Sequence, residues 1–457
     1  MRMIVLILLI SISLAGQIRM PTYQRVSLDN GAAVFVMPKK DLPLVSMRVS
    51  VRGGAEADPA GMNGMGSVAI EMLTRGTEKR SREKLAEDLD QLGIRVQTAM
   101  SNQTASIELE FLSKDTAQVF ALLEEILLQP KFDDSELKQL ISEKVDAVKV
   151  AKDQPQMVLL EYLSAFYFGK EHPYGRAMNG DELSLPKLTR AAVAEHWKRN
   201  FVGKNLVVVV AGDVDAKATE AKLKGLFGKV ASGTAYVPKN VAAPKTGAAR
   251  LLLVDSAGAT QTYFAIGQPG IERVNPDRTK LELVNTLFGG RFTSMLNDAL
   301  RVDSGLTYGA NSILQIDRLP GTISILTFTK TESTEAAIDL ALKQLEKLQS
   351  QGIDAGQLAS AKAYVKGEYP TRALETINQL SGMLTNFEIF GLNRGEVDDL
   401  ISRIDAATLE QVNQTARNYY KTSGLVFVLI GDAAKIRKTA EKYAKDIRVV
   451  KINEPGF

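Results

Sequence analysis

A chain of 457 residues exceeds what one hydrophobic core organises and predicts at least two domains. Its apolar fraction of 45%, charged fraction of 24% and formal charge of +3, with both signs interspersed, describe an ordinary globular protein; no basic run is interleaved with aromatics, so nucleic acid has no support as a partner. The absence of cysteine excludes disulfides and thiolate chemistry, and the only two histidines, His172 and His196, stand 24 residues apart without ligand-like spacing.

Met1-Arg2-Met3 followed by the apolar run Ile4 to Ala15 reads as a secretory signal over residues 1–15, too short for a membrane span, with Ser13-Leu14-Ala15 as the small residues a signal peptidase needs. It predicts a periplasmic or otherwise exported protein, and without cysteine it is no lipoprotein signal. Gln24 to Leu28 and Ala33 to Met37 read as strands joined through the turn Asp29-Asn30-Gly31. A third strand over Leu42 to Val51 ends at Gly53-Gly54, and glycines at 61, 64 and 66 lead into a helix carrying Val68, Ile70 and Leu73. A helix over Ser81 to Leu92 stops at Gly93, strands follow at Val96 to Thr98 and Ala105 to Phe111, and Ser113 is placed to cap the helix through Val119, Leu122, Leu123 and Ile126. Helices over Ser135 to Val150, Gln156 to Phe168 and Thr189 to Asn200 precede the apolar strand Leu206 to Ala211.

Residues 231–249 are small, polar and proline-punctuated and read as a linker between domains at 16–230 and 250–457. Beyond it come a strand at Thr260 to Gly267, a helix at Asp277 to Leu287, strands near Tyr308 to Ile316 and Thr322 to Thr329, and a long helix over Glu335 to Leu348. The halves repeat one another: Trp197 to Phe201 precedes Asn205 to Asp213 as Ala416 to Tyr420 precedes Gly424 to Asp432, each a helix entering an apolar strand that ends in Gly-Asp.

The segment Gly64-Met65-Gly66-Ser67-Val68-Ala69-Ile70-Glu71-Met72-Leu73-Thr74-Arg75-Gly76-Thr77 resembles the zinc-binding helix of the pitrilysin-type (M16, inverzincin) metallopeptidases, Gly-Leu-Ala-His-x-x-Glu-His-Met-Leu-x-x-Gly-Thr. Gly53-Gly54-Ala55-Glu56-Ala57, His172-Pro173-Tyr174-Gly175 and Gly212-Asp213 extend the resemblance, which covers most of residues 22 to 435 and reads His172 as a structural turn residue. The family's two metal-binding histidines fall at Ser67 and Glu71 and its general-base glutamate at Ile70; its further metal-binding glutamate falls at Ala147, 76 residues beyond Glu71, beside the acids Glu143 and Asp146. Such a hydrolase needs ligands at i and i+4 on one helical face and a glutamate to take a proton from the metal-bound water. All four positions are degenerate, so the chain is expected to bind no metal or other cofactor. Ser67 has no Gly-x-Ser-x-Gly elbow around it to make it a nucleophile, and Gly212-Asp213-Val214-Asp215 is no phosphate loop.

The stretch Gly289 to Ala310 keeps the family's Arg-x-x-x-x-Gly-Leu-x-Tyr pairing in Arg301 and Tyr308, with Gly305-Leu306 between them one residue early. A guanidinium and a phenol converging on a peptide carbonyl stabilise the oxygen on which charge develops. The resemblance implies an α+β fold of two homologous α/β-roll domains, each an antiparallel-rich sheet packed against helices. It also implies a heterodimer in which this chain lends Arg301 and Tyr308 to the zinc site of a partner subunit with an intact His-x-x-Glu-His motif. The implied substrate is an unfolded peptide bound as an added strand. The competing expectation is a structural or peptide-holding scaffold, assembled as a homodimer or within a larger complex.

Overall fold

The computed structural model describes residues 18–244 and 247–456, so the leader expected over residues 1–15 lies outside it. The first half holds strands β1 (Gln24–Ser27), β2 (Ala33–Pro38), β3 (Leu44–Arg52), β4 (Arg95–Met100), β5 (Thr104–Leu112) and β6 (Leu206–Gly212), and helices α1 (Met65–Met72), α2 (Arg82–Gln91), α3 (Thr116–Leu128), α4 (Asp134–Lys152), α5 (Pro155–Phe168), α6 (Arg190–Asn200) and α7 (Ala216–Phe227). The second half holds β7 (Arg250–Asp255), β8 (Gln261–Pro269), α8 (Arg278–Asn285), α9 (Met295–Asn297), β9 (Ala310–Leu314), β10 (Thr322–Lys330), α10 (Thr334–Gln351), α11 (Ala355–Ala373), α12 (Ile377–Phe390), β11 (Val426–Gly431) and β12 (Asp446–Lys451). Two six-stranded sheets result, ordered β1-β2-β6-β3-β5-β4 and β12-β7-β11-β8-β10-β9. Each is mainly antiparallel: only β2–β6 runs parallel in the first, with Phe35 beside Val209, and only β12–β7 and β7–β11 in the second, with Leu252 beside Val428.

The central strands β6 and β11 are buried along their whole length, which is why they read as unbroken apolar runs instead of alternating patterns. Both faces of each are covered, by different halves of the chain. Val208 and Val210 join the core made by the first half's own helices, whereas Val207, Val209, Phe35 and Met37 pack on Leu380, Leu384 and Phe387 of α12. Reciprocally, Leu253, Phe264 and Leu429 face the second half's helices, whereas Leu252, Ala265 and Val428 pack on Leu159, Tyr162 and Leu163 of α5. Each half thus lends one helix to the other's sheet. Gly267 permits the close approach, since a Cβ there would lie 2.8 Å from Leu163 Cδ1.

Two local readings are corrected. Ser113 does not cap α3: a 3-10 turn at Ser113–Asp115 precedes the helix, and the Ser113 hydroxyl donates to Asp213 Oδ2 at 2.7 Å. The strand β7 has no counterpart among the expected elements, because its four core residues Leu251 to Val254 follow directly on the small-residue stretch. No helix of the described residues is long and apolar enough to cross a membrane.

Candidate functional site: a peptidase-type helix filled by its own side chains

The helix α1 starts at Gly64, whose backbone is left-handed (φ 85°) and whose added Cβ would meet Gly180 at 2.7 Å. Its free N–H groups are held by a carboxylate: Gly64 and Gly66 donate to Asp58 Oδ2 and Oδ1, both at 2.8 Å. Burial pushes the Asp58 carboxyl up to about 7, against the pull of the Gly66, Gly64 and Met65 N–H groups. Val68 and Ile70 then point into the core of the first half. The general-base position is therefore an apolar core residue.

Ser67 and Glu71, one turn apart, face α4. The Lys144 ammonium donates to Ser67 Oγ at 3.0 Å and to Glu71 Oε1 at 2.5 Å. The Ser67 hydroxyl lies 3.1 Å from both Glu71 Oε1 and Asn179 Oδ1, acceptors for its single proton. Ala147, one turn beyond Lys144, is exposed; Glu143 is paired with Arg75, and Asp146 accepts from Lys149 at 3.1 Å. The donor set does not fit a zinc ion, since the one carboxylate on the ligand face is already held by an ammonium and the serine oxygen is a poor ligand. Among the described residues no group of three or more His, Cys, Asp or Glu side chains could hold a metal ion. Nor does the Ser67–Lys144 contact make a nucleophile and base: the ammonium donates to the buried Ser67, whose own proton is directed away from it.

Both histidines lie elsewhere. His172 Nδ1 accepts from the Tyr174 N–H at 3.1 Å and its ring stacks on Phe168, 4.6 Å between centroids. His196, on α6, has Nε2 4.0 Å from Asp58 Oδ1. Burial, aided by nearby arginines, lowers each imidazole to about 4, which keeps it neutral at neutral pH. The neighbouring Glu56 ties the halves together: its Oε2 takes a hydrogen bond from Arg318 Nη2 at 2.8 Å, and its Oε1 takes hydrogen bonds from Gln103 at 3.0 Å and Tyr174 at 3.3 Å.

Arg301 and Tyr308 share one segment of the second half. Arg301 lies in a wide helical turn over Asp298–Asp303, and Tyr308 stands two residues ahead of β9 instead of beginning it. Gly305 (φ 64°) turns the chain back, with Leu306 and Thr307 N–H groups donating to Leu300 O. Asn297 brackets the segment, its Nδ2 donating to Phe292 O at 2.8 Å and its Oδ1 accepting from the Ala310 N–H at 3.1 Å. The Arg301 guanidinium lies 4.5 Å from the Phe292 ring centroid, and Tyr308, 81% exposed, has its ring 6.3 Å from that of Phe328. Neither side chain has a hydrogen bond or ion pair among the described residues, and none links this pair to Ser67 or Glu71. Sequence reasoning missed Lys144, Asn179 and Asn297. Lys144 was legible as a cation on α4 one turn before Ala147, but a search for a metal ligand looks for acids there.

Fold and site define a metallopeptidase-type scaffold whose metal position is filled by its own side chains. Two family profiles match the chain: residues 34–181 match insulinase (peptidase family M16) and residues 187–365 match the peptidase M16 inactive domain. The chain belongs to the M16 peptidase family, as a member without the family's metal-binding and general-base residues. It is 22% identical over 442 residues to the "Non-peptidase homolog YmxG" of Helicobacter pylori, covering 95% of this chain and all of that one. It is 21% identical over 423 residues to the "Probable mitochondrial-processing peptidase subunit beta, mitochondrial" of Arabidopsis thaliana, covering 90% of this chain and 78% of that one. The crystal structure of a peptidase M16 inactive domain from Pseudomonas fluorescens superposes with a TM-score of 0.83 at 22% identity, covering 90% of this chain and 98% of that one.

Proposed function

We propose that this chain is the non-catalytic subunit of a heterodimeric zinc peptidase, lending Arg301 and Tyr308 to the zinc site of an M16 partner that carries an intact His-x-x-Glu-His motif. The observation that carries this reading is the state of the pair: two polar side chains on one bracketed segment, without hydrogen-bond partners among the described residues, one of them 81% exposed. Donors left free and held in place are suited to an oxygen arriving from outside. A relative named as a peptidase subunit beta agrees with a two-chain enzyme. The edge of β4, which among the described residues pairs with β5 alone and lies beside α1, offers an unfolded peptide a strand to extend. The apolar run Ile4 to Ala15 supports export of the mature chain to the periplasm or otherwise outside the cytoplasm, which cell fractionation and N-terminal sequencing of the mature protein test.

Co-purification with such a partner and hydrolysis of an unstructured peptide test the assignment. The expected result is no turnover from this chain alone, chelator-sensitive turnover from the pair, and a loss of about 10²-fold in kcat for Arg301→Ala. Full turnover from pairs carrying Arg301→Ala and Tyr308→Phe overturns it. The second reading, a peptide-holding or structural scaffold, draws on the name of the Helicobacter relative and expects a stable homodimer or larger complex without turnover under any pairing.

A further inference from the structure

We propose that the Lys144 ammonium is a tethered cation that takes the place of the family's metal ion, holding α1 to α4 and barring a divalent cation from the site. The geometry carries the assignment. Lys144 is the α4 residue that reaches both surviving ligand positions, Ser67 Oγ at 3.0 Å and Glu71 Oε1 at 2.5 Å, and its side chain is only 14% exposed. Glu71 is 32% exposed, so the pair is partly withdrawn from water, where an unpaired carboxylate is disfavoured and a counter-charge matters most. A metal ion would meet that need with two charges and directed bonds. The ammonium meets it with one charge and three N–H donors, two of which are used here.

The surrounding atoms explain why a lysine suffices. Ser67 Oγ, Glu71 Oε1 and Asn179 Oδ1 are all oxygens, the last two each 3.1 Å from the serine hydroxyl. With imidazoles gone, this is a hard-oxygen set that favours an ammonium, or a hard cation such as calcium or manganese, over zinc. A second cation on the same interface, Arg75 near the end of α1, faces Glu136 at 3.5 Å and Glu143 on α4. The contact between α1 and α4 is thus sealed by two basic side chains, and only Lys144 sits at the ligand positions. The proposal is independent of any partnership: it concerns how this chain keeps the peptidase frame after losing the ion that organised it.

The test is thermal unfolding of the full chain in chelator, and again with calcium, manganese or zinc chloride. Wild-type protein is expected to melt at the same temperature in all four. Lys144→Met, which keeps the stem and removes the charge, is expected to lower the midpoint by about 1–2 °C. Lys144→Glu, which sets a second carboxylate opposite Glu71, is expected to melt lower still in chelator and to recover several degrees with calcium or manganese, as binding to the folded state alone requires. If it does not fold in chelator, refolding on addition of either cation is the same result. A Lys144→Met protein that melts with wild type, or a Lys144→Glu protein that gains nothing from either cation, overturns the proposal. A wild-type midpoint raised by any of the three metals overturns it equally.

Discussion

The two halves have nearly the same sheet and opposite chemistry. In both, a parallel pair of apolar strands adjoins three antiparallel strands, and the difference lies at one edge, where β1 comes from the start of the chain and β12 from its end. In the first half the helix with the peptidase pattern has closed on itself: Ser67, Glu71, Lys144 and Asn179 answer one another, and Ile70 belongs to the core. In the second half the segment of Arg301 and Tyr308 is held by backbone and by Asn297, yet neither side chain has a hydrogen bond or ion pair among the described residues. Loss of function leaves self-satisfied polar groups, because unpaired ones carry a standing free-energy penalty.

The contrast can be broken most forcefully at the helices the halves exchange. Leu384→Ala on α12 and Leu163→Ala on α5 each remove a fully buried side chain from the other half's sheet, and each is expected to cost about 2–5 kcal/mol in urea unfolding. Because the exchange is reciprocal, either variant should lower a single shared transition; separate transitions for the two halves would show that they do not depend on one another. Next in size is Glu56→Ala, which removes the carboxylate partner of Arg318 and leaves that guanidinium only Lys239 O and Asn240 Oδ1 to donate to; it is expected to cost about 1–3 kcal/mol, with urea midpoints as the measure.

Acidification sharpens the contrast, since Asp58, His172 and His196, three strongly shifted groups that titrate between pH 4 and 7, all sit in the first half. The histidines, lowered to about 4 from an ordinary 6.5, favour the folded state fully above pH 6.5, and that contribution is lost as pH falls through 4. Asp58, raised to about 7 from 3.8, works oppositely: its contribution is full below about 4 and lost as pH rises through 7. Between pH 4 and 6.5 the two histidines make stability rise with pH, and Asp58, joined by Glu108, Glu161 and Asp317, which burial also pushes up, works against that rise. Asp58→Asn should steepen that rise by up to ~1.4 kcal/mol per pH unit, which unfolding at several pH values measures. The smallest effect is expected from Ala147→Glu: a carboxylate at an exposed position should change stability by less than about 0.5 kcal/mol and create no zinc binding in calorimetric titration.

Much of the fold was legible because duplication doubled the signal: Leu206 to Asp213 and Leu425 to Asp432 are each weak alone and together mark two copies of one sheet. What covers those strands was not legible. A strand apolar on both faces records that both are buried, without saying that α12 lies on one and the sheet's own helices on the other. At the site, the missing ligands at 67, 70 and 71 were plain from a pattern at helical spacing, whereas Lys144 depends on how α4 crosses α1, which no local pattern encodes. Ser113 misled because a serine ahead of a helix usually caps it, and here a contact to Asp213, 100 residues away in sequence, competes successfully.

The trading of α5 and α12 also bears on how the polypeptide is made and cut. Until residue 390 has emerged from the ribosome, Phe35, Met37, Val207 and Val209 have no cover, so the first half cannot be finished early as an autonomous body. Once complete, the interlock outlasts its tether: a protease that nicks the exposed stretch around Val237 should release no fragment, because each piece still clasps the other.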